Sequence, residues 1–393
     1  MPIRFLTAGE SHGPQLTAIL EGMPAGVPID ADLIRQDLVR RQKSYGAGGR
    51  MAIEKDAARI TAGVMAGQTT GGPIALHIPN KDWKNWRDRD IPPMTTPRPG
   101  HADLTAAVKY GYGELRLALE RASARETAAR VAVGAVCKQY LAQFGIRVQG
   151  YVRAIGPVQA RISDDMPYDE RFELAESNDL RCPDLDAVAA MREIVAETMQ
   201  RKDTIGGVIE IIALGLPAGL GSHVHWDRRL SARIMAAVGS IHAIKGVEIG
   251  PGFENAAMFG SEVHDEIFLD EGSNLIRKTN RAGGLEGGIT TGEPLVVRAA
   301  MKPISTVLNP RQSVNLATGE PEPTTYERSD FNAVPRAVVV GEAMLAIVLA
   351  DALIEKLGGD SLAEQLPRFA SLRQARLEDL PMNDRAWRFG FEE

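Results

Sequence analysis

Three short stretches of this chain occur twice, in the same order. LEGMPAGV at Leu20–Val27 returns as ALGLPAGL at Ala213–Leu220, GVMAGQTTGGPIAL at Gly63–Leu76 as GLEGGITTGEPLVV at Gly284–Val297, and RASARETAARVAVG at Arg121–Gly134 as RSDFNAVPRAVVVG at Arg328–Gly341. Turns rich in glycine and proline look alike wherever they occur. An ordered set of three matches, each roughly 190–220 residues apart, reads instead as two copies of one unit. In both copies a run of β-formers, Leu16–Leu20 or Val208–Ile212, leads into the first match, and a helical pattern follows it, opened by Asp30 or Asp32 in one copy and by Asp227 in the other. The third match runs into a long apolar helical stretch. The chain is therefore expected to be α+β, with pseudo-repeats over about 7–145 and 203–357, an insertion at 153–202 and a tail at 359–393. A site between two such halves receives one set of residues from each. The third match sets Asp330 in one copy where Ser123 stands in the other.

The insertion is polar and proline-spotted at SDDMPYDE, then helical from about Asp184 to Arg201, and is expected to be a surface appendage. A net charge of −6 gives the chain as a whole no electrostatic reason to seek nucleic acid or an anionic membrane, so any anion must meet a local basic cluster. Cys137 and Cys182 have no metal-site spacing and no secretory pattern leads the chain, which points to a reducing cytoplasm. The longest apolar run, Ala343–Ala350, ends at Asp351, short of the ~20 residues needed to span a bilayer.

Chemistry-bearing residues lie in the connecting stretches. TAGESHG contains G-x-S-x-G at Gly9–Gly13, the pattern of a hydrolase nucleophile elbow with Ser11 as nucleophile. An elbow sits between a strand and a helix, whereas Gln15–Leu20 continues here as strand. What remains is a turn displaying Ser11 and His12, an imidazole that exchanges a proton near neutral pH. TTPRPGHADL presents Arg98 and His101 from a loop stiffened by Pro97 and Pro99. Arg40, Arg41, Lys43 and Arg50 cluster in RRQKSYGAGGRM, Arg121 and Arg125 in ERASARET, and Arg328 in ERSD. Lys302 opens KPISTV with Ser305 and Thr306 behind it. Guanidinium forks match phosphate and carboxylate oxygens, so their convergence suits a small polyanion. The glycine runs at 46–49 and 283–288 match neither a dinucleotide fingerprint nor a phosphate loop. His223 and His225 lack a third ligand at metal spacing, so no metal is expected.

With these residues in place, the chain resembles the chorismate synthase family. GESHG at Gly9–Gly13 with RRQ-x-x-YG behind it, ERASARETAAR at Glu120–Arg130, and RSD with AVPRA at Arg328–Ala337 carry the likeness. NRAGGLEGG, MKPIST and IKGVEIG add to it, over Thr7 to about Asp360. The resemblance implies an internally duplicated β-α-β sandwich with a helical layer between antiparallel sheets, and a homotetramer. It also implies a lyase of aromatic amino acid biosynthesis that removes phosphate and a ring hydrogen from 5-enolpyruvylshikimate 3-phosphate with reduced FMN. By resemblance, His12 protonates the departing phosphate, His101 stands at the reduced flavin, and Asp330 helps the flavin accept the hydrogen. Ser11, Arg41, Arg50, Arg98, Ser123, Arg125 and Arg328 are implied around the substrate. Arg121, Ala122, Ser123, His242, Ala243, Gly287, Lys302, Pro303, Ile304, Ser305, Thr306 and Arg328 are implied around the flavin. A contact to NADPH is implied at Arg41, and an external flavin reductase as the source of reduced FMN. The chain departs from the family at Ala47, where an arginine is usual, and at Pro251 and Asn332. A serine hydrolase using Ser11 and a non-catalytic protein binding a phosphosugar or flavin are the alternative readings.

Overall fold

The computed structural model describes residues 2–47, 56–325, 327 and 330–390, and it mixes helices with antiparallel sheets. Strands β1 (Arg4–Ala8) and β2 (Gln15–Glu21) form a hairpin. Helix α1 (Ala31–Gln42), strand β3 (Arg59–Ala62), a small hairpin of β4 (Val64–Met65) and β5 (Gln68–Thr69), and β6 (Ile74–Pro79) follow. Helices α2 (Asp103–Tyr110) and α3 (Arg116–Ala122) lead into the long α4 (Thr127–Ala142). Next come β7 (Arg147–Ile155), β8 (Val158–Gln159), α5 (Tyr168–Glu176), α6 (Leu185–Gln200), β9 (Gly207–Leu214), α7 (Leu230–Gly239), β10 (Ile244–Ile249) and the short α8 (Gly252–Asn255) and α9 (Gly260–Val263). Three hairpin pairs, β11 (Ile267–Leu269) with β12 (Leu275–Arg277), β13 (Leu285–Glu286) with β14 (Ile289–Thr290), and β16 (Gln312–Val314) with β17 (Pro321–Pro323), flank β15 (Leu295–Met301). Helices α10 (Val334–Leu357) and α11 (Leu362–Ala370) close the order.

One sheet runs β1-β2-β6-β3 and the other β10-β15-β9-β7-β8. The first has the alternation of a half-buried sheet: Leu16, Ala18 and Leu20 of β2 point inward while Gln15, Ile19 and Glu21 face out. In register beside them, Ile78, Leu76 and Ile74 of β6 are buried. Helix α4 packs on β2 and β6, α10 packs on β7 and β9, and the two helices lie against each other. Both are apolar nearly all round, as a helix buried on every side must be. Helix α10 is long and apolar enough to cross a bilayer, yet 94% of its most apolar window is buried inside the protein. Glycine sets the helix spacing: a Cβ on Gly134 would lie 2.3 Å from Cβ of Ala343.

At the matched stretches the same hydrogen bonds recur. Thr69 Oγ1 donates to Pro24 O at 2.5 Å and accepts from Val27 N at 2.9 Å; Thr290 Oγ1 donates to Pro217 O at 2.7 Å and accepts from Leu220 N at 2.8 Å. Around them Gly26 N donates to Thr69 O at 2.8 Å and Gly219 N to Thr290 O at 2.9 Å. Each threonine latches the turn after a core strand onto a small hairpin.

Residues 153–202 are not the surface appendage expected from their polarity. They contribute Phe172, Leu180, Cys182, Met191 and Val195 to the buried interior. Asp184 caps α6, as the sequence predicts. Arg181, buried and with φ of 50°, donates to the carbonyls of Arg40 (2.6 Å), Lys43 (3.1 Å) and Pro335 (3.0 Å), and so ties the end of α1 to the start of α10. Beside it a charge cluster is sealed in the core. The fully buried Glu342 carboxylate accepts from Arg40 (2.8 Å), Lys138 (2.7 Å) and Gly150 N (3.0 Å). Burial pushes this carboxyl up, but the Arg40 and Lys138 charges prevail and bring it to about 2.

Candidate active site

The first element of the site is the β1–β2 turn. Gly9 has φ of 113°, and a Cβ there would meet Gln15 O at 2.5 Å, so only glycine closes this hairpin. The turn is held down by Glu120 of α3, whose carbonyl accepts from Ser11 N at 3.1 Å. Its carboxylate accepts from His12 N at 2.8 Å and meets His12 Nδ1 at 2.7 Å. A carboxylate only accepts, so Nδ1 carries the proton and Nε2 is the nitrogen that exchanges one. Burial raises the Glu120 carboxyl, but the hydrogen bond and charge of His12, aided by Arg116, bring it below the usual carboxylate range. Trp86 covers the imidazole at 4.0 Å between ring centroids, its own Nε1 donating to Asp82 at 2.9 Å. Ser11 is buried and accepts from Ser123 Oγ at 3.1 Å. This strand–turn–strand setting, with His12 Nδ1 committed to Glu120, is not a nucleophile elbow.

The second element is the stiff loop before α2. Asp103, with no exposure, accepts from Arg98 Nε (2.8 Å) and Nη2 (3.0 Å) and from His101 Nδ1 (2.6 Å). Burial raises its carboxyl, but His101 and Arg98 overwhelm that cost and hold it well below the usual range. His101 is thereby fixed with Nε2 as the acceptor nitrogen of its neutral form. Arg98 Nη1 reaches Thr306 Oγ1 at 3.1 Å, joining this loop to the Lys302–Thr306 stretch.

The third element lies where α1, α4 and α10 meet. Arg41 is buried and donates through Nε to Thr127 Oγ1 and through Nη2 to Ala124 O, each at 3.0 Å. Its Nη1 lies 3.5 Å from Asp56, which also accepts from Arg125 Nη1 at 2.7 and 2.6 Å. Asp330 pairs with Arg336 of α10, and Arg336 Nε donates to Arg41 O at 3.0 Å.

The second and third elements, with residues 241–245, 301–302 and 304–305, line a cavity of about 390 Å³, inside the roughly 300–1,000 Å³ typical of small-molecule sites. Of the expected residues, Arg41, His101, Ala122, His242, Ala243, Lys302, Ile304, Ser305 and Asp330 line it. Ala243 has φ of 66° and its carbonyl accepts from Lys302 N at 2.9 Å. His242 Nδ1 is buried with no hydrogen-bond partner among the described residues, and burial lowers this imidazole to about 4, leaving it neutral. Lys302 is held below the usual lysine range by burial and by Lys245 beside it. His12, Ser11, Ser123, Arg98, Arg125, Pro303 and Thr306 do not line it. Arg121 and His242 share a second cavity of about 730 Å³. Gly287, on the β13–β14 hairpin near His223, lines neither. Arg50 and Arg328 lie outside the described residues. Glu120, Asp103, Asp56, Trp86 and Arg336 were not singled out from the sequence. The carboxylate two residues after His101, and the one opening ERASARET, were the available signals.

A half-buried histidine, a histidine oriented by a carboxylate, a second carboxylate and two lysines around one cavity define an enzyme site for a small anionic substrate. The comparisons with known proteins make that class specific. The chorismate synthase family model matches residues 3–354. The chain is 53% identical over 383 residues to the chorismate synthase of Aquifex aeolicus, covering 93% of this chain and 96% of that protein. It is 53% identical over 378 residues to the chorismate synthase of Geobacter sulfurreducens, covering 92% and 96%. A crystal structure of chorismate synthase superposes with a TM-score of 0.77 at 46% identity, covering 94% of this chain and 97% of that one. The chain belongs to the chorismate synthase family, and with it to the carbon–oxygen lyases.

Proposed function

We propose that this chain converts 5-enolpyruvylshikimate 3-phosphate to chorismate, with reduced FMN bound in the cavity lined by His101, His242 and Asp330. The C–O bond to phosphate and a ring C–H bond break, and a second ring double bond forms. The observation that carries the reading is the convergence, in one cavity, of His101, Asp330, Arg41 and Lys302 from chain positions up to 289 residues apart. The lining fits the cofactor: Ile241, Met301, Ile304 and Val340 offer apolar walls to a flat ring, Lys245 and Lys302 offer cations to a phosphate, and His242 Nδ1 is a buried polar atom awaiting a partner. When bound, reduced FMN supplies a transient electron to the elimination.

The protein's own groups hold and move protons around that event. His12 gives the leaving phosphate oxygen a proton from Nε2 while Glu120 keeps Nδ1 protonated. His101, fixed through Asp103, presents Nε2 to the cavity. Asp330, also on the cavity lining, is the carboxylate that would help a bound flavin accept the hydrogen. Ser11 and Ser123 join the His12 turn to α3 beside Ala122. Arg41 is buried on Thr127, Ala124 and Asp56, so an NADPH contact there rests on the resemblance alone, as do the homotetramer, the external flavin reductase and the cytoplasmic setting. The duplicated β-α-β sandwich belongs to the same proposal. The matched threonine latches and the facing α4 and α10 support it.

The test is anaerobic mixing of the protein with reduced FMN and the substrate, following phosphate release and chorismate absorbance. His12→Ala, His101→Ala and Asp330→Asn are each expected to lower turnover by about 10²–10⁴-fold. Binding of substrate and flavin with no phosphate released by the unaltered chain would sink the proposal.

A further inference from the structure

We infer that Arg336 is a positioning residue that aims the Asp330 carboxylate into the cavity and locks it to the backbone of Arg41; this rests on the reading above. Asp330 sits in the connection before α10, and the backbone that follows it is fixed. Phe331 N donates to Gly46 O at 2.9 Å, Ile205 N donates to Phe331 O at 3.0 Å, and Asn332, with no exposure, caps Val334 N through its side chain at 3.1 Å. Helix α10 begins immediately after, and Arg181 holds its Pro335 carbonyl at 3.0 Å. The main chain is thus set, while the carboxylate still has its own side-chain torsions to lose.

Arg336 restrains the carboxylate directly. It lies six residues beyond Asp330, in the first turn of α10, and both side chains are 14% exposed on the same cavity wall. Its guanidinium points one edge at the Asp330 carboxylate through Nη1 and the other at Arg41 O through Nε, at 3.0 Å to the latter. A planar fork with donors on two edges can serve both acceptors at once; an ammonium on a flexible stem meets only one in a defined direction. Asp330 and Arg41 come from different halves of the chain, so one side chain ties the two halves together at the cavity lining.

The test combines two readouts. In thermal melts of the flavin-free protein, Arg336→Gln and Asp330→Asn are each expected to lower the transition, and the double variant to melt no lower than the worse single one. In turnover, Arg336→Gln is expected to lower kcat by about 100-fold with KM for the substrate changed less than threefold, as misplacement of a reacting group by about an ångström does. Arg336→Lys should recover part of kcat, and Arg336→Gln placed on Asp330→Asn should cost nothing further. A primary deuterium isotope effect on the ring hydrogen that is lost should rise in Arg336→Gln. A loss confined to KM, or a double variant whose losses multiply, would overturn the inference and make Arg336 a direct substrate contact. Failure of the unaltered chain to turn over would instead strike the proposed function, and the melts would still decide whether the pair is coupled.

Discussion

Replacing Glu342 with glutamine keeps the shape of the core and removes only a charge. The carboxyl sits at about 2 against an ordinary 4.5, and each pH unit is about 1.36 kcal/mol, so the folded state gains about 3 kcal/mol from it at neutral pH. The sign follows from the direction: a carboxyl held below its unfolded value contributes fully above about pH 4.5, and the contribution fades as pH falls from there toward 2. Asp37 and Glu176 remain beside Arg40, and Asp37 beside Lys138, so the cations are not stranded in the variant. The loss is accordingly near that single carboxylate's share. Unfolding entropy of about 2.1 cal/mol/K per residue over 393 residues converts it to a fall in melting temperature of about 4 °C. Scanning calorimetry of both proteins at constant ionic strength checks this. The gap should be full at pH 7, narrower by about a quarter at pH 4 and by more than half at pH 3. Equal melting at pH 7, or a gap that stays flat with pH, would refute the argument.

Glu120→Gln should lower turnover by about 10²–10³-fold with little change in substrate KM, and should add nothing to His12→Ala, because it acts through that imidazole; steady-state kinetics of the three variants decide it. Asp103→Asn strips the buried partner from both Arg98 and His101 and is expected to cost about 3–5 kcal/mol, read as a lower melting temperature together with lost turnover. Gly134→Val drives a branched side chain into Ala343 where two helix backbones nearly touch, and should destabilise by at least about 1–3 kcal/mol, measured in the same melts.

Much of the frame was legible because it is periodic or repeated. The alternation in β2, the Asp30 and Asp184 caps of α1 and α6, and the order of matched stretches all arise from local rules. The second copy's helix was less so: the pattern led with Asp227, but that residue lies in a short turn and α7 starts at Leu230. Helix α10 was read as the long apolar stretch that follows the third match, with Ala343–Ala350 as its longest unbroken run. Its first half is interrupted by Arg336, paired with Asp330, and by Glu342, whose charge is neutralised by Arg40 of α1 and Lys138 of α4, partners that no local window contains. The same holds for the site. His12 and His101 stood out as imidazoles in rigid turns, but the carboxylates that orient them were hidden among ordinary charged residues. Glu120 reaches His12 across 108 residues, and Asp56 collects Arg41 and Arg125 from both directions. The appendage reading at 153–202 failed because its polar opening says nothing of Arg181, a cation whose acceptors are three distant carbonyls.

The facing of α4 and α10 has a consequence for how the chain is made. Helix α4 is complete at residue 142 and can pack on β2 and β6, yet its other partner, α10, arrives only with residues 334–357. At about 5–20 residues per second a ribosome takes roughly 10–40 s to supply it. For that interval the face of α4 around Gly134, which closes on Ala343, has no final covering, and the nascent first half carries an open helix face accessible to chaperones or to a second emerging chain. On the proposed reading, flavin binding in a cavity lined by both His101 and Asp330 is then an end-of-synthesis event: a truncated chain released before α10 is expected to hold its first sheet but bind no cofactor.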